Sequence, residues 1–189
     1  MQNPYVVLVE VIRAFDALGI DYVVVGSIAS SIHGEYRASG DVDIVADVKL
    51  QHVVPLGEKL KAEFYVDDLM MRRAISDGRS FNIIHLKAIF KIDIFIPATE
   101  LGKQQLARRE QHLLNSTGSQ QIWIATAEDT ILAKLHWYRL GQETSELQWR
   151  DITGMIGAGR PRLDHEYLGS WAERLKLSDL LHRALAESL

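Results

Sequence analysis

The sequence predicts an α+β fold in which the strands are confined to the first two thirds of the chain and a small helical region follows. Three observations predict it. Short apolar runs bounded by turn residues at Tyr22–Val25, around Asp41-Val42-Asp43, and over 81–86, 88–96 and 120–124 read as strands, and Lys91–Ile96 alternates with the period of two expected of one. Between them lie stretches whose apolar residues recur at helical spacing. From Ala127 onward only helical patterning remains, so every expected strand falls within the first 125 residues. The expected division is a sheet-containing domain over 1–125 and a helical C-terminal region over 126–189.

Taken in order, Pro4–Leu18 places Tyr5, Leu8, Val9, Ile12, Phe15 and Leu18 on one helical stripe ended by Gly19, a helix suited to covering one face of a sheet. Tyr22–Val25 is a buried strand. Residues 27–33 form a helix of small residues, and a second strand carries Asp41 and Asp43. Residues 50–64 read as an amphipathic helix that Pro55 bends or splits. A short helix over 67–75 ends at the turn Asp77-Gly78. Strands 81–86 and 88–96 form a hairpin closed off by Pro97. A brief helix follows over 99–106, and 120–124 is the last strand. Thr126 then caps a helix with Glu128 and Asp129 in its first turn and Ile131, Leu135 and Tyr138 as its stripe. Further helices are expected over 143–157, 164–175 and Ser178–Glu187. Gly157-Ala158-Gly159-Arg160-Pro161 is expected to be a flexible joint.

Composition narrows the class of protein. The 189 residues suffice for a real core, and 47% apolar with 24% charged residues is an ordinary globular balance. No window approaches the roughly 18 consecutive apolar residues of a membrane span, so no membrane partner is expected. The N-terminus lacks the pattern of an export signal. With no cysteine, disulfides and thiolate metal sites are excluded, and a cytoplasmic chain is expected. A net charge of −4 does not mark a nucleic-acid binder, so any such role must rest on a local patch.

The chemistry concentrates between residues 22 and 48. Asp41 and Asp43 stand at i and i+2 of a strand and so share one face. Two adjacent carboxylates repel, and one is driven to take up a proton; a divalent cation between them removes that cost. Mg²⁺ favours such oxygens, completed by water and substrate phosphates. In the strand 88–96, Ile92, Ile94 and Ile96 share one face, and Lys91, Asp93 and Phe95 the other. If that strand pairs beside the first, Asp41, Asp43 and Asp93 meet on one sheet face. Three acids there can hold two cations roughly 3.5–4 Å apart, the arrangement that clamps the entering and leaving oxygens of phosphoryl-type transfer. Gly26-Ser27 adds an anion site: the strand turns into a helix there, exposing backbone N–H groups at the positive end of the helix dipole. Gly26 permits the tight turn, and the Ser27 hydroxyl can cap the helix or bond a phosphate oxygen.

Gly26-Ser27, Asp41-Val42-Asp43 and the later Asp93 together resemble the nucleotidyltransferase superfamily related to DNA polymerase beta. Its pattern is Gly-Ser, a spacer of about ten residues, Asp-hydrophobic-Asp, and a third acid on a later strand. The resemblance spans about the first 125 residues. It implies a mixed β-sheet flanked by helices, two Mg²⁺ ions, and transfer of a nucleoside monophosphate from an NTP to an acceptor hydroxyl. It makes Asp41 and Asp43 the shared metal ligands and Asp93 the ligand that also draws the acceptor's proton. Lys134-Leu-His-Trp-Tyr-Arg139, followed by Trp149-Arg150-Asp151, is similar to the AbiEii-type toxins of type IV toxin–antitoxin systems. That likeness implies NTP phosphates on Lys134, with Asp151 orienting it or the acceptor; the helical region of the working division is expected to close over the site. Arg37 and Ser39 match the subgroup's basic-x-Ser/Thr-x-Asp pattern, and Arg37 can grip a phosphate bidentately.

Plainer roles suit several of these residues equally. Lys134 can be a snorkelling surface lysine, and Asp151 an ion-pair partner of Arg150, Lys134 or Arg139. The histidines have no metal-ligand spacing, and His33, His85 and His136 read as structural or solvent-facing. Trp123, Trp137 and Trp149 read as core first and base-stacking platforms second. The leading acceptor is an RNA end, tRNA foremost through the toxin likeness, with a cognate antitoxin as possible partner; Lys103, Arg108, Arg109, Arg139, Arg150, Arg160 and Arg162 are candidates for a basic rim. One alternative is an antibiotic-type enzyme acting on a small hydroxylated molecule, with Asp67, Asp68 and Asp77 as extra acids for a cationic acceptor. Another is a non-catalytic nucleotide-binding regulatory partner.

Overall fold

The computed structural model describes residues 4–34, 40–114 and 120–188. Along them run α1 (Pro4–Leu18), β1 (Tyr22–Val25), α2 (Gly26–His33), β2 (Asp41–Ala46), α3 (Val53–Leu60), β3 (Phe64–Tyr65), α4 (Asp68–Asp77), β4 (Ser80–His85), β5 (Phe90–Phe95), α5 (Glu100–Ala107), β6 (Glu110–Leu113) and β7 (Gln121–Ile124). Then come α6 (Ala127–Leu140), α7 (Glu146–Gly159), α8 (His165–Arg174) and α9 (Ser178–Glu187). The fold is α+β, as the patterning predicts. Two compact units emerge: one of residues 1–25 and 39–125, the other of residues 26–38 and 126–189.

The first unit is built on a seven-stranded mixed sheet in the order β3-β4-β5-β2-β1-β7-β6. β2 lies at its centre, antiparallel to β1 and parallel to β5; β1 and β7 are also parallel, and the remaining pairs are antiparallel. Period-two alternation gives the sheet two unlike faces. Val24, Val42, Ile44, Phe81, Ile83, Ile92, Ile94, Ile122 and Ile124 share one face, and none is more than 3% exposed. α1 packs against β2 and β5, and its Leu8, Ile12 and Phe15 are fully buried. α3 packs on α1 and α4, and α4 on β4. On the other face Val23, Val25, Val45 and Ala125 form a smaller cluster, closed by Phe95 and by Leu106 of α5.

Caps behave as local chemistry dictates. The Asp67 carboxylate accepts from the N–H groups of Leu69 and Met70 at 2.8 and 2.9 Å, starting α4. Gly78 ends that helix in the left-handed conformation, φ 62°, and an added Cβ would meet the Ala98 Cβ at 2.6 Å. Thr126 caps α6 as its sequence predicts, accepting from Asp129 N–H.

The structure differs from the sequence reading in several elements. The helix expected over 50–64 ends at Leu60, and Phe64 belongs to the two-residue strand β3. The expected helix is divided ahead of Pro55, with a 3-10 turn over Leu50–His52 giving way to α3 at Val53; Pro55 itself falls in the first turn of α3, where a missing N–H breaks no intrahelical bond. β6 goes unanticipated: its residues are polar except Leu113 and mostly exposed at a sheet edge, so they leave no alternating apolar signal. The expected joint at 157–161 is largely helix, since α7 runs through Gly159, whose carbonyl accepts from the N–H groups of Arg162 and Leu163. Among the described residues no helix is long and apolar enough to cross a membrane.

The second unit is helical. α6 packs on α2, α7 and α8, and α9 on α7 and α8. Ile131, Leu132, Leu135, Ile152, Ile156, Leu168 and Leu181 supply its core, none more than 3% exposed. Two acids of the first turn of α6 fasten α8: Tyr167 Oη donates to the fully buried Asp129 at 2.5 Å, and Asp164 N–H donates to Glu128 at 3.0 Å.

One core residue of the first unit yields a pH prediction. Tyr22 is 2% exposed, and its phenol is pushed up to about 12, chiefly by burial and further by the Asp16 charge. The folded chain therefore keeps a proton that the unfolded chain releases near pH 10, so stability is intact below about pH 10 and falls as pH rises toward about 12. Urea denaturation should lose roughly 2–3 kcal/mol over that interval through this group. Tyr22→Phe should show a shallower decline.

Candidate functional site

Register settles where the three acids stand. β2 and β5 pair in parallel with Asp41 opposite Lys91 and Asp43 opposite Asp93. Odd-numbered residues of both strands therefore point to the same face, away from the Ile44–Ile92–Ile94 layer. Asp41, Asp43 and Asp93 thus share one end of the face whose other end holds Val45 and Phe95. β4 extends the row, since Asn82 pairs with Asp93. All three acids are part-buried.

A fourth charge lies among them. Lys91 Nζ is 2.6 Å from Asp93 Oδ2, with the lysine side chain 45% exposed and the aspartate's 21%. The hydrogen bond to Asp93 holds the ammonium above the ordinary lysine value against a small burial penalty, and the charges of Asp93, Asp41 and Asp43 add to the shift. Alternation in β5 puts Lys91 on the acids' face, and that is the signal by which the sequence could have assigned it a part.

Whether these residues suit a metal can be judged from this arrangement. Among the described residues, no three acidic, histidine or cysteine side chains are gathered closely enough to hold an ion as they stand. The register nevertheless sets Asp43 and Asp93 on neighbouring strands about 4.8 Å apart, with Asp41 two residues along on the same face. An all-carboxylate donor set is the chemistry Mg²⁺ favours. The residues fit.

The remaining candidates belong to the second unit or lie outside the described residues. Gly26 opens α2 with φ 63°, a conformation that favours glycine, and Ser27 is 8% exposed. Arg37 and Ser39 lie outside the described residues. Lys134 and Asp151 form a buried ion pair, Nζ to Oδ2 2.8 Å, with side chains 10% and 8% exposed. The snorkelling alternative for Lys134 is thereby excluded, while the ion-pair role of Asp151 is realised. An ammonium carries three donors, so the pair by itself does not prevent Lys134 from reaching a further anion.

Several auxiliary candidates are otherwise engaged. Arg109 pairs with Asp21 at 2.7 Å and lies over the Trp123 ring; Arg139 pairs with Glu143 and Asp179. Asp67 is committed to its cap. Trp149 borders a groove of about 440 Å³ in the second unit, but it contacts Tyr138 at a ring-centroid distance of 5.0 Å and carries Arg183 over its ring, and its N–H donates to Glu187. Trp137, expected in the core, is 53% exposed; α6 turns it away from the stripe of Ile131, Leu135 and Tyr138. His85 is fully buried, accepting from the Ala88 N–H and meeting Phe64 edge-on.

No protein-family profile matches the chain, and no curated protein sequence matches it. Its architecture recurs in solved structures. An antigenic nucleotidyltransferase-like protein from Paracoccidioides brasiliensis superposes with a TM-score of 0.56 at 18% identity, over 95% of this chain and 91% of that one. ANT(2″)-Ia in complex with adenylyl-2″-tobramycin gives 0.56 at 10% identity, over 90% and 95%. The lincosamide antibiotic adenylyltransferase LnuA, lincomycin-bound, gives 0.51 at 15% identity, over 78% and 93%. These likenesses are of fold alone, an architecture this chain shares with antibiotic adenylyltransferases and a nucleotidyltransferase-like protein.

The Lys134–Asp151 pair carries its own prediction. Lys134→Met leaves a buried carboxylate without its ammonium and should cost about 3–5 kcal/mol in urea denaturation. Lys134→Met combined with Asp151→Leu should recover most of that loss.

Proposed function

We propose that the protein is a Mg²⁺-dependent nucleotidyltransferase that moves a nucleoside monophosphate from an NTP to an acceptor hydroxyl. The observation that carries this reading is the β2–β5 register, which sets Asp43 beside Asp93 with Asp41 on the same face. Asp41 and Asp43 would hold both metal ions and Asp93 one of them. When bound, magnesium lowers the pKa of the acceptor hydroxyl and neutralises the departing pyrophosphate. Asp93 orients the acceptor hydroxyl and draws its proton. Gly26 and Ser27, with Arg37 and Ser39, bind the triphosphate, and Lys134, oriented by Asp151, adds a cation for its phosphates. The chain is cytoplasmic in this reading.

Two acceptors are in view. The likeness of 134–151 to AbiEii-type toxins supports an RNA end, tRNA foremost, with an antitoxin as the restraining partner. The antibiotic adenylyltransferases among the fold's solved examples support a small hydroxylated molecule instead, and the engagement of Arg109 and Arg139 in ion pairs weakens a continuous basic rim.

Incubation with each α-labelled NTP, Mg²⁺ and either total RNA or a panel of aminoglycosides and lincosamides tests both. Label in RNA supports the first acceptor, and label in a small product the second. In Asp41→Ala/Asp43→Ala either signal should fall at least about a hundredfold, as expected on losing several kcal/mol of charge stabilisation. Nucleotide binding without transfer to any acceptor would overturn the enzymatic reading.

A further inference from the structure

Lys91 has no part in the acid triad, yet it stands inside it. It pairs across the strands with Asp41, lies two residues from Asp93 on the same face, and gives its ammonium to Asp93 Oδ2 at 2.6 Å. A strand that alternates Lys-Ile-Asp has no packing need for lysine here, since the apolar layer is on the far face and the side chain is 45% exposed. What the ammonium does have is three anionic neighbours. Any divalent cation that takes Asp93 as a ligand must share that carboxylate with Lys91 or displace it, because two cations on one small anion repel.

We propose that Lys91 is a built-in competitor for the metal: its ammonium holds Asp93 and keeps the acids from binding a divalent cation strongly until a triphosphate brings further negative charge. This rests on the metal-site reading above and adds regulation to it. Lys91 is then a positioning residue, and its consequence is coupling. Metal binds weakly alone and tightly with nucleotide, so the acids do not collect ions without donor substrate. Removing the ammonium uncouples the two.

The test is titration of EDTA-stripped full-length protein with Mn²⁺, followed by the loss of free-ion EPR signal, with and without a non-hydrolysable NTP analogue. Wild type should bind Mn²⁺ much more tightly with the analogue than without. Lys91→Met should bind Mn²⁺ alone on the order of tenfold more tightly than wild type, with a smaller gain from the analogue. Lys91→Arg, which keeps the charge, should behave as wild type; thermal melts confirm that each variant is folded. Equal or weaker Mn²⁺ binding by Lys91→Met, or tightening in Lys91→Arg as well, overturns the role of Lys91 while leaving the metal site standing. Absence of Mn²⁺ binding in every variant, with and without analogue, overturns the metal site itself and Lys91's role with it.

Discussion

The parallel pairing of β2 with β5 is the constraint on which the candidate site depends, and an apolar layer enforces it. Val42, Ile44, Ile92 and Ile94 are wholly buried on the face opposite the acids. Because side chains alternate, a slip of one residue in either strand would carry its buried aliphatic residues to the partly open face and its acids into the core. Burial of four aliphatic side chains on one side therefore decides that the carboxylates share the other. No direct attraction among the acids is needed, and none is available, since like charges repel.

The acid-bearing face is itself divided along the strands. Toward the ends of β2 and β5, Val45 and Phe95 join Val23, Val25, Ala125 and Leu106 of α5 in a closed cluster. Two residues earlier the same face turns polar, with Asp43, Asp93 and Asn82 in one row that Val25 borders on β1, and Asp41 and Lys91 in the next. A sheet face that is covered at one end and charged at the other is poor economy for a purely structural layer. Lys91 moderates the repulsion, and its exposure lets it yield.

In the second unit, charge burial is managed by pairing. Lys134 and Asp151 neutralise each other across α6 and α7, and Asp129 receives the Tyr167 hydroxyl across α6 and α8. Such contacts add little net stability compared with apolar packing, but they fix how helices register against one another, because a mispaired helix would bury an uncompensated charge. α6 takes part in both contacts, and its Ile131 and Leu135 pack in the core of the same unit.

Periodicity in the sequence determined the fold class, most helices, the strands of the sheet's centre and the shared face of Asp41 and Asp43, because burial of one face leaves its period in the residues. Lys134 was likewise legible as lying by an apolar stripe. The edge strands β3 and β6 were not, since a two-residue strand and a polar exposed one carry no such period, and Trp137 and the segment 157–161 were misjudged where composition stood in for packing. That Asp93 lies opposite Asp43, that Lys91 reaches Asp93 within the same row, and that Lys134 closes on Asp151 were decided only by tertiary structure. Strand order, register and helix contact are pairings between distant segments, and a linear sequence holds the partners without stating which pairs form.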